Sequence, residues 1–332
     1  MRRTVVVLVT LLVAASCGGQ TAAPAASSQP AAGSATPAVW PLRGTAAPDA
    51  ASVRKRPIVV KIDANPAARP QAGLADADLI LEIVVEGGVT RYAAVFHSKD
   101  PAKVGPVRSA RKSDLNYLSS LHPILAHVGA SEAVAKLIRE AAASADFVDV
   151  DELQQADAFE RAKDRQPPYN AYTSGAKVRA AGGRPASDAV TVAGLRYGTA
   201  TGGTDAATLT IPYPEAVRYE YDGTGAYHRS YPGGAKTMDA AGEVLPANVV
   251  VIKTDYTELA GTADASGAAS VDYRATGSGP VVILRDGKRF EGTWTRPGDG
   301  LYAFADASGA PILLKAGLTW LHIVPLTFDL RP

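Results

Sequence analysis

Two β-rich segments joined by a pair of glycines place the tightest constraint on how this chain can fold. Gly87 and Gly88 lie between them, so that Glu86 ends the first segment and Val89 begins the second. Glycine adopts the positive φ angles that a two-residue hairpin loop requires, so the pattern predicts an antiparallel hairpin with these glycines as its loop. Because successive side chains point to opposite faces of a strand, this loop would also fix which residues share a face.

In that register Glu86 would lie opposite Val89, and one face of the hairpin would mix acidic and basic side chains with small apolar ones. Its charged or titratable members are Asp78, Glu82, Glu86, Arg91 and His97. The other face is predicted to be the core and collects Leu79, Leu81, Ile83, Val85, Thr90, Tyr92, Ala94 and Phe96. Any antiparallel sheet with one solvated face shows a polar side, so the pattern fits either a functional site or a wetted surface.

An arginine-rich turn follows the hairpin. The segment from Val104 to Arg111 reads V-G-P-V-R-S-A-R and precedes leucines spaced for a helix from about Ser113 to Leu121. Unpaired backbone N–H groups at a helix N-terminus and neighbouring guanidinium groups both attract anions. The predicted anion-binding residues are Arg91, Arg108, Ser109 and Arg111, and the candidate acid/base residues are Asp63, Glu82, Glu86, His97 and His127.

The histidines favour no metal site. All five are scattered, and no two have the spacing of a metal-binding pair on one helix. His127 lies on a predicted apolar strand from Leu125 to Val128, which a Gly129-Ala130 turn follows. Two placements fit this position: a cleft shared with Arg108, or a buried site in which the ring's hydrogen bonds are satisfied.

Several segments resemble the YerB-like family of bacterial lipoproteins. In the N-terminal half they are N-P-A-A-R-P-Q-A-G-L-A-D-A-D from Asn65, E-G-G-V-T-R from Glu86, K-V-G-P-V-R-S-A-R ending at Arg111, and A-H-V-G-A-S from Ala126. G-S-G-P-V-V-I-L-R-D-G-K-R-F-E-G-T-W from Gly277 and G-L-T-W-L-H-I-V-P from Gly317 are similar to that family's second domain. The resemblance implies a two-domain lipoprotein of unknown function, with no established reaction or catalytic residue to carry over.

The order of strand, strand, arginine-bearing turn and helix is also loosely similar to the LytR-CpsA-Psr phosphotransferases. Those enzymes use arginines on lipid pyrophosphates, and the similarity is confined to this short stretch.

Residues 1–16 are predicted to be a signal peptide. An Arg2-Arg3 pair precedes an apolar run from Val5 to Val13, which is too short to span a bilayer, and small residues precede Cys17. This arrangement resembles the bacterial lipobox. We therefore expect Cys17 to carry a lipid such as palmitate and to hold the protein on the extracytoplasmic face of the cell membrane. Cys17 is the only cysteine in the sequence, so no internal disulfide is expected.

Three further regions follow the signal peptide. Residues 17–53 are poor in charge and rich in Ala, Ser, Pro and Gly, which predicts a lipidated, disordered tether. Within it, Trp40-Pro41-Leu42 either docks on the folded part or interrupts the tether. Residues 54–204 alternate strand and helix patterns and are predicted to form the domain that carries the hairpin and the arginine turn. Residues 205–332 are predicted to form a second, mostly β domain.

The predicted fold class is α+β: an N-terminal mixed α/β layer sandwich followed by a smaller, mostly antiparallel β domain. Helices are predicted at about Ser113–Leu121, Ser131–Ala143 and Thr173–Ala181. Strands of the second domain are predicted at Val217–Tyr221, Gly225–Tyr231, Asn248–Asp255, Ser270–Ala275, Pro280–Arg285, Phe290–Thr295, Tyr302–Ala305 and Trp320–Val324.

Composition narrows the function. Lys and Arg total 34 and Asp and Glu total 33, so no nucleic-acid partner is expected. G-x-S-x-G, H-E-x-x-H, C-x-x-C, Walker and Rossmann patterns are absent from the sequence; no cofactor is predicted, and the question of enzymatic activity stays open. Three interpretations remain: a domain that binds or acts on a phosphate-bearing envelope polyanion, a non-catalytic lipoprotein that binds an envelope protein, and a scaffold whose charges form structural ion pairs.

Overall fold

The computed structural model describes residues 37–143, 147–259, 269–298 and 300–332. The predicted signal peptide and Cys17 therefore lie outside the described residues.

Strands and helices alternate through the N-terminal half. The strands are β1 (Ile58–Asp63), β2 (Leu79–Val84), β3 (Thr90–Phe96), β4 (Ile124–His127), β5 (Val148–Asp151), β6 (Glu160–Arg161) and β7 (Ala171–Tyr172). The helices are α1 (Lys112–Leu118), α2 (Glu132–Ala143), α3 (Gly175–Ala181) and α4 (Gly183–Ser187). In α2 the buried residues Val134 and Ile138 recur at helical spacing, so one stripe of the helix packs on the core.

The described part of the C-terminal half is built from strands. They are β8 (Thr204–Asp205), β9 (Thr208–Ile211), β10 (Val217–Tyr221), β11 (Tyr227–Ser230), β12 (Met238–Asp239), β13 (Gly242–Glu243), β14 (Asn248–Thr254), β15 (Tyr256–Glu258), β16 (Val271–Tyr273), β17 (Gly277–Arg285), β18 (Lys288–Arg296), β19 (Ala303–Ala305) and β20 (Thr319–Pro325). Burial alternates along β10, where Val217 and Tyr219 are buried and Arg218 and Glu220 are exposed.

One mixed sheet of eleven strands runs through both halves. Its order is β19-β18-β17-β14-β20-β2-β3-β1-β4-β5, and β8 adds to β18. The halves meet where β2 pairs in parallel with β20, from Leu79 opposite Thr319 to Ile83 opposite Ile323. The predicted α+β class is confirmed. The arrangement differs from the prediction in that the two halves share one large sheet, and residues from Pro37 to Pro332 form one compact unit.

Each face of this sheet carries its own apolar layer. One face packs on α1 and α2 through Leu118, Val134 and Ile138. The opposite face packs on α3 and on the separate three-stranded sheet of β9, β10 and β11. Because both faces are covered, β2 and β3 are buried along most of their length.

The predicted hairpin register is wrong by one residue. The loop is Glu86–Gly88, closed by a hydrogen bond from Val85 N to Val89 O of 2.8 Å, and Glu82 lies opposite Tyr92 rather than Ala93. Because a shift of one residue exchanges the faces of one strand relative to the other, Arg91 shares its face with Ile83 instead of Glu82. The hairpin therefore has no single charged face.

The folded body begins earlier than predicted. Trp40 is 8% exposed and Leu42 is fully buried, and Arg43 donates to the Ala77 carbonyl at 2.9 Å. The segment from Pro37 to Val53, predicted as part of the tether, thus belongs to the packed unit because its apolar residues find partners there. Within the described residues, no helix combines the length and apolarity needed to cross a bilayer.

Candidate functional site

The predicted site lies at one edge of the large sheet. Strands β1, β2, β4, β14 and β20 all run in the same direction, and β3 runs against them. Asp63 ends β1, Glu86 follows β2, and Arg91 lies near the start of β3, so all three gather at the carboxyl edge of the parallel strands. This is the edge at which open α/β sheets bind ligands.

Asp63 holds two of the predicted arginines. Its Oδ1 accepts a hydrogen bond from Arg91 Nη1 at 3.1 Å, and its Oδ2 lies 2.7 Å from Arg108 Nε. The second contact is an ion pair that lacks hydrogen-bond geometry. Burial lowers the pKa of Arg91; Asp63 opposes this effect, and the nearby cations Arg108 and Arg111 add to it. The structure therefore brings Arg91 and Arg108 together on one carboxylate.

Arg111 forms a second ion pair with Glu86. Its Nε lies 2.8 and 2.7 Å from the two carboxylate oxygens, and the Ser270 hydroxyl also donates to Glu86. Burial alone would raise the pKa of Glu86, but Arg111 and Ser270 together bring it below its ordinary value. Ser109 contributes a backbone carbonyl, which accepts from Arg111 Nη1 at 3.3 Å.

A buried lysine and its partner were missed by the sequence analysis. Lys61 is fully buried and donates to Asp114 Oδ1 at 2.7 Å, while Asp114 Oδ2 accepts from Arg111 N at 2.7 Å. Burial lowers the pKa of Lys61, Asp114 opposes this effect, and the neighbouring cations Arg111 and Arg91 add to it. A signal was present, because alternation along β1 places Lys61 on the same face as Asp63.

We call these seven residues the basic cluster: Lys61, Arg91, Arg108 and Arg111, with the carboxylates Asp63, Glu86 and Asp114. Its positive charges outnumber its negative ones. The Arg108 side chain is 25% exposed and, within the described residues, Asp63 is its ion-pair partner while its two Nη groups have no protein acceptor. Arg91 Nε is buried and also lacks an acceptor among the described residues. These unused donors are suited to oxygen atoms of an anion.

Glu82 does not belong to the basic cluster. It is buried on the opposite face of the sheet, where its oxygens accept from Arg229 Nη2 at 3.1 and 2.9 Å and from Trp320 Nε1 at 2.9 Å. Thr90 Oγ1 donates to it at 2.9 Å. Glu82 is therefore the counter-ion of a buried arginine, and the one-residue register shift explains why sequence reasoning placed it beside Arg91.

Neither candidate histidine contacts the cluster. His97 follows β3, at the opposite edge of the sheet, with its ring centroid 4.9 Å from that of Trp40. His127 is buried, its Nδ1 lies 2.9 Å from the Gly129 carbonyl, and its Nε2 lies 2.8 Å from Asp149. Backbone hydrogen bonds join the two regions, from Val128 N to Arg108 O at 3.1 Å and from Ala110 N to Gly129 O at 3.0 Å. His127 thus takes the second of its predicted placements.

Few of the described side chains at this edge of the sheet are free to bind a metal ion. Over the described ranges, no three His, Cys, Asp or Glu side chains are grouped so that they could hold one. The carboxylates of the basic cluster are already engaged by cations.

Comparisons with known proteins agree with both halves of the fold. Residues 42–187 match the model described as "Protein of unknown function (DUF3048) N-terminal domain", and residues 209–321 match its C-terminal counterpart. The protein named "Putative lipoprotein YerB" from Bacillus subtilis (strain 168) is 27% identical over 281 residues, which is 82% of each chain.

A solved structure gives the same result. The crystal structure of the YerB protein from Bacillus subtilis superimposes with a TM-score of 0.76 at 26% identity, covering 89% of this chain and all of the other. The sequence, the two matched models and the common fold agree, and the chain belongs to the YerB-like family, whose two-domain architecture it shares.

Proposed function

We propose that this protein is a lipid-anchored extracytoplasmic lipoprotein whose basic cluster binds a phosphate-bearing ligand of the cell envelope. The anchor would be Cys17, with the membrane as its partner. The name of the Bacillus subtilis relative supports a lipoprotein, and the amino-acid pattern around Cys17 supports the lipidation site.

The unused donors of Arg108 carry this proposal. Four cations face three carboxylates in the basic cluster, so one positive charge is left without a counter-ion of its own. Holding such a charge in a partly dry site costs free energy that an anion would offset. Guanidinium groups bind phosphate oxygens in a planar, two-bond geometry, which favours phosphate over a monatomic anion.

A scaffold or partner-binding role is the alternative, and a specific observation favours it. Asp63, Glu86 and Asp114 each lie in an ion pair, so most of the charge in the cluster is already compensated. In that case the arginines would stabilise the fold or a contact with an envelope protein, and no small anion would bind. The two functions make opposite predictions for one substitution.

We expect Arg108→Ala to weaken anion binding strongly while leaving the unliganded fold nearly as stable as before. The loss of a charged hydrogen bond should weaken binding by about 1.5–3 kcal/mol. Stability should change little, because Arg91 still neutralises Asp63 and one excess cation is removed. Thermal denaturation with phosphate, pyrophosphate and an undecaprenyl-phosphate analogue measures both effects.

Arg289→Ala is the matched control. Arg289 is 23% exposed and pairs with Glu291 at 2.7 Å, so it resembles Arg108 in exposure and partner but lies on β18. The control should keep the anion-dependent shift in melting temperature. If all three proteins respond to the anions alike, and Arg108→Ala alone melts much lower, the cluster is structural.

A further inference from the structure

A small cavity that several polar side chains enter lies on the face of the sheet opposite the basic cluster. Its volume is about 120 Å³, and its polar lining includes Asn65, Arg69, Tyr92, Glu215, Arg229 and Tyr231. An engineered cavity of about 150 Å³ is large enough for benzene, so this one suits a ligand of a few non-hydrogen atoms.

Arg229 supplies a buried donor in the lining of this cavity. Its side chain is fully buried, Nη2 binds Glu82, and Nη1 donates to Thr237 Oγ1 at 2.9 Å. Its Nε has no acceptor among the residues that the structure describes. A buried donor left without an acceptor is costly, so an oxygen atom in the cavity would be stabilising there.

Arg69 supplies a second donor close to the surface. Its guanidinium lies 3.3 Å from the centroid of the Tyr231 ring and binds both oxygens of Glu215. Its Nε likewise finds no acceptor within the described ranges. The Glu215 side chain is 37% exposed, so this ion pair is partly screened by water, and Glu215 can exchange for another anion at low cost.

Arg69 and Arg229 together polarise the hydroxyl group of Tyr231. Its oxygen lies 3.2 Å from that of Tyr92. Burial alone would raise the pKa of Tyr231, but Arg229 and Arg69 bring it below its ordinary value, whereas burial raises the pKa of Tyr92. A more acidic hydroxyl is a stronger hydrogen-bond donor to an anion.

We propose that this cavity is a second ligand site, which binds a small oxyanion between Arg69, Arg229 and Tyr231. The part of the ligand inside the cavity is a carboxylate or phosphate with few other atoms, because about 120 Å³ holds only a few non-hydrogen atoms. Glu82 stays with Arg229, since Thr90 and Trp320 also donate to it, and Glu215 turns toward solvent when the anion takes its place on Arg69. The site is independent of the basic cluster and of the function proposed for it.

Calorimetric titration of the full chain with inorganic phosphate and with acetate tests this site. The titrations use the Arg108→Ala background, which removes the donors proposed for the basic cluster. At least one of the two anions should bind saturably at one site, and Arg69→Met should weaken that binding by about tenfold or more. The anion that binds more tightly identifies the ligand class.

Tyr231→Phe provides a second variant that keeps the shape of the core. Binding of an anion beside Tyr231 should change the ultraviolet absorbance of that tyrosine. Tyr231→Phe should weaken binding and remove this change in absorbance, whereas Tyr221→Phe, which lies outside the cavity lining, should preserve both. If neither anion binds in the Arg108→Ala background, or if Arg69→Met binds as tightly as its parent, the second site does not exist.

Discussion

At the scale of single residues, neighbours in sequence have taken different roles because of the faces they occupy. Glu82 and Glu86 are four positions apart in the sequence, and both were candidate acid/base groups. Glu86 reaches Arg111 in the basic cluster, whereas Glu82 neutralises Arg229 on the far face. Residue type predicted that both would be charged and partnered, but the choice of partner depended on a register that the sequence did not determine.

His97 should make the stability of the protein depend on pH. Burial lowers its pKa from an ordinary 6.5 to about 4. Between these values the unfolded chain binds a proton and the folded chain does not, so the free energy of unfolding falls as pH drops below 6.5. The full contribution, on the order of 3 kcal/mol, is present above pH 6.5 and is lost once the pH falls below 4. Denaturant unfolding across this range measures it.

His97→Phe keeps an aromatic ring against Trp40 and should remove this part of the slope. His127 is the internal comparison. Burial alone would lower its pKa, but the carboxylates of Asp149 and Asp151 outweigh this effect, so its pKa is raised above the ordinary value. Its contribution is present at low pH and is lost as pH rises through the folded pKa. An unchanged slope in His97→Phe would contradict the buried, neutral state of His97.

At the scale of elements, the hairpin shows what a local pattern can and cannot determine. The β-rich segments predicted both strands, and in the second half the strand Val217–Tyr221 was predicted to the residue. Two adjacent glycines fit a loop of two residues or of three, because either loop can place both at positive φ. Glu86 decides between them, since its ion pair with Arg111 keeps it in the loop.

Gly87→Ala should destabilise the hairpin through backbone strain alone. Gly87 has φ 66° and ψ 15°, and a Cβ atom there would meet nothing within 4 Å. The left-handed conformation costs an alanine about 1 kcal/mol, and asparagine less. Chemical denaturation should therefore rank the wild type above Gly87→Asn and Gly87→Asn above Gly87→Ala. Gly298→Ala, which is equally open and has no positive φ, should match the wild type.

At the scale of the whole molecule, sequence patterns could not predict that the two halves share one sheet. Local periodicity predicted the strands, but the junction pairs β2 with β20, and Glu82 lies 238 positions from its partner Trp320. Nothing in either segment specifies the other as its neighbour, because both read as buried apolar strands. The site was partly predictable because Asp63, Glu86 and the arginines lie near the hairpin and turn that were recognised.

We predict that residues 182–205 mark the boundary between two domains and that cleavage there leaves the halves together. Most of this stretch from Asp188 onward is exposed and has little regular structure, so protease reaches its backbone. The β2–β20 ladder should hold the fragments in one particle on gel filtration until denaturant is added. A first stable cut within Leu79–Phe96 would contradict the boundary, and fragments that separate without denaturant would contradict the strength of the junction.

Cys17→Ser should release the protein from the membrane without unfolding it. The lipid would attach to the thiol, and the residues from Pro37 onward form a compact unit of their own. Membrane fractionation after a high-salt wash measures retention, and circular dichroism of the released protein measures its fold. A variant that stays tightly membrane-bound after the wash would refute the lipid anchor.

The position of β20 also sets the order of events during biogenesis. This strand lies between β14 and β2, so β2 has an unpaired edge until Pro325 has been synthesised. Closing so long a loop is entropically unfavourable and slow, and contacts that are distant in sequence delay folding. In this sheet β2, β3, β1, β4 and β5 pair with one another within the N-terminal half, so the two halves are joined only after β20 has been made.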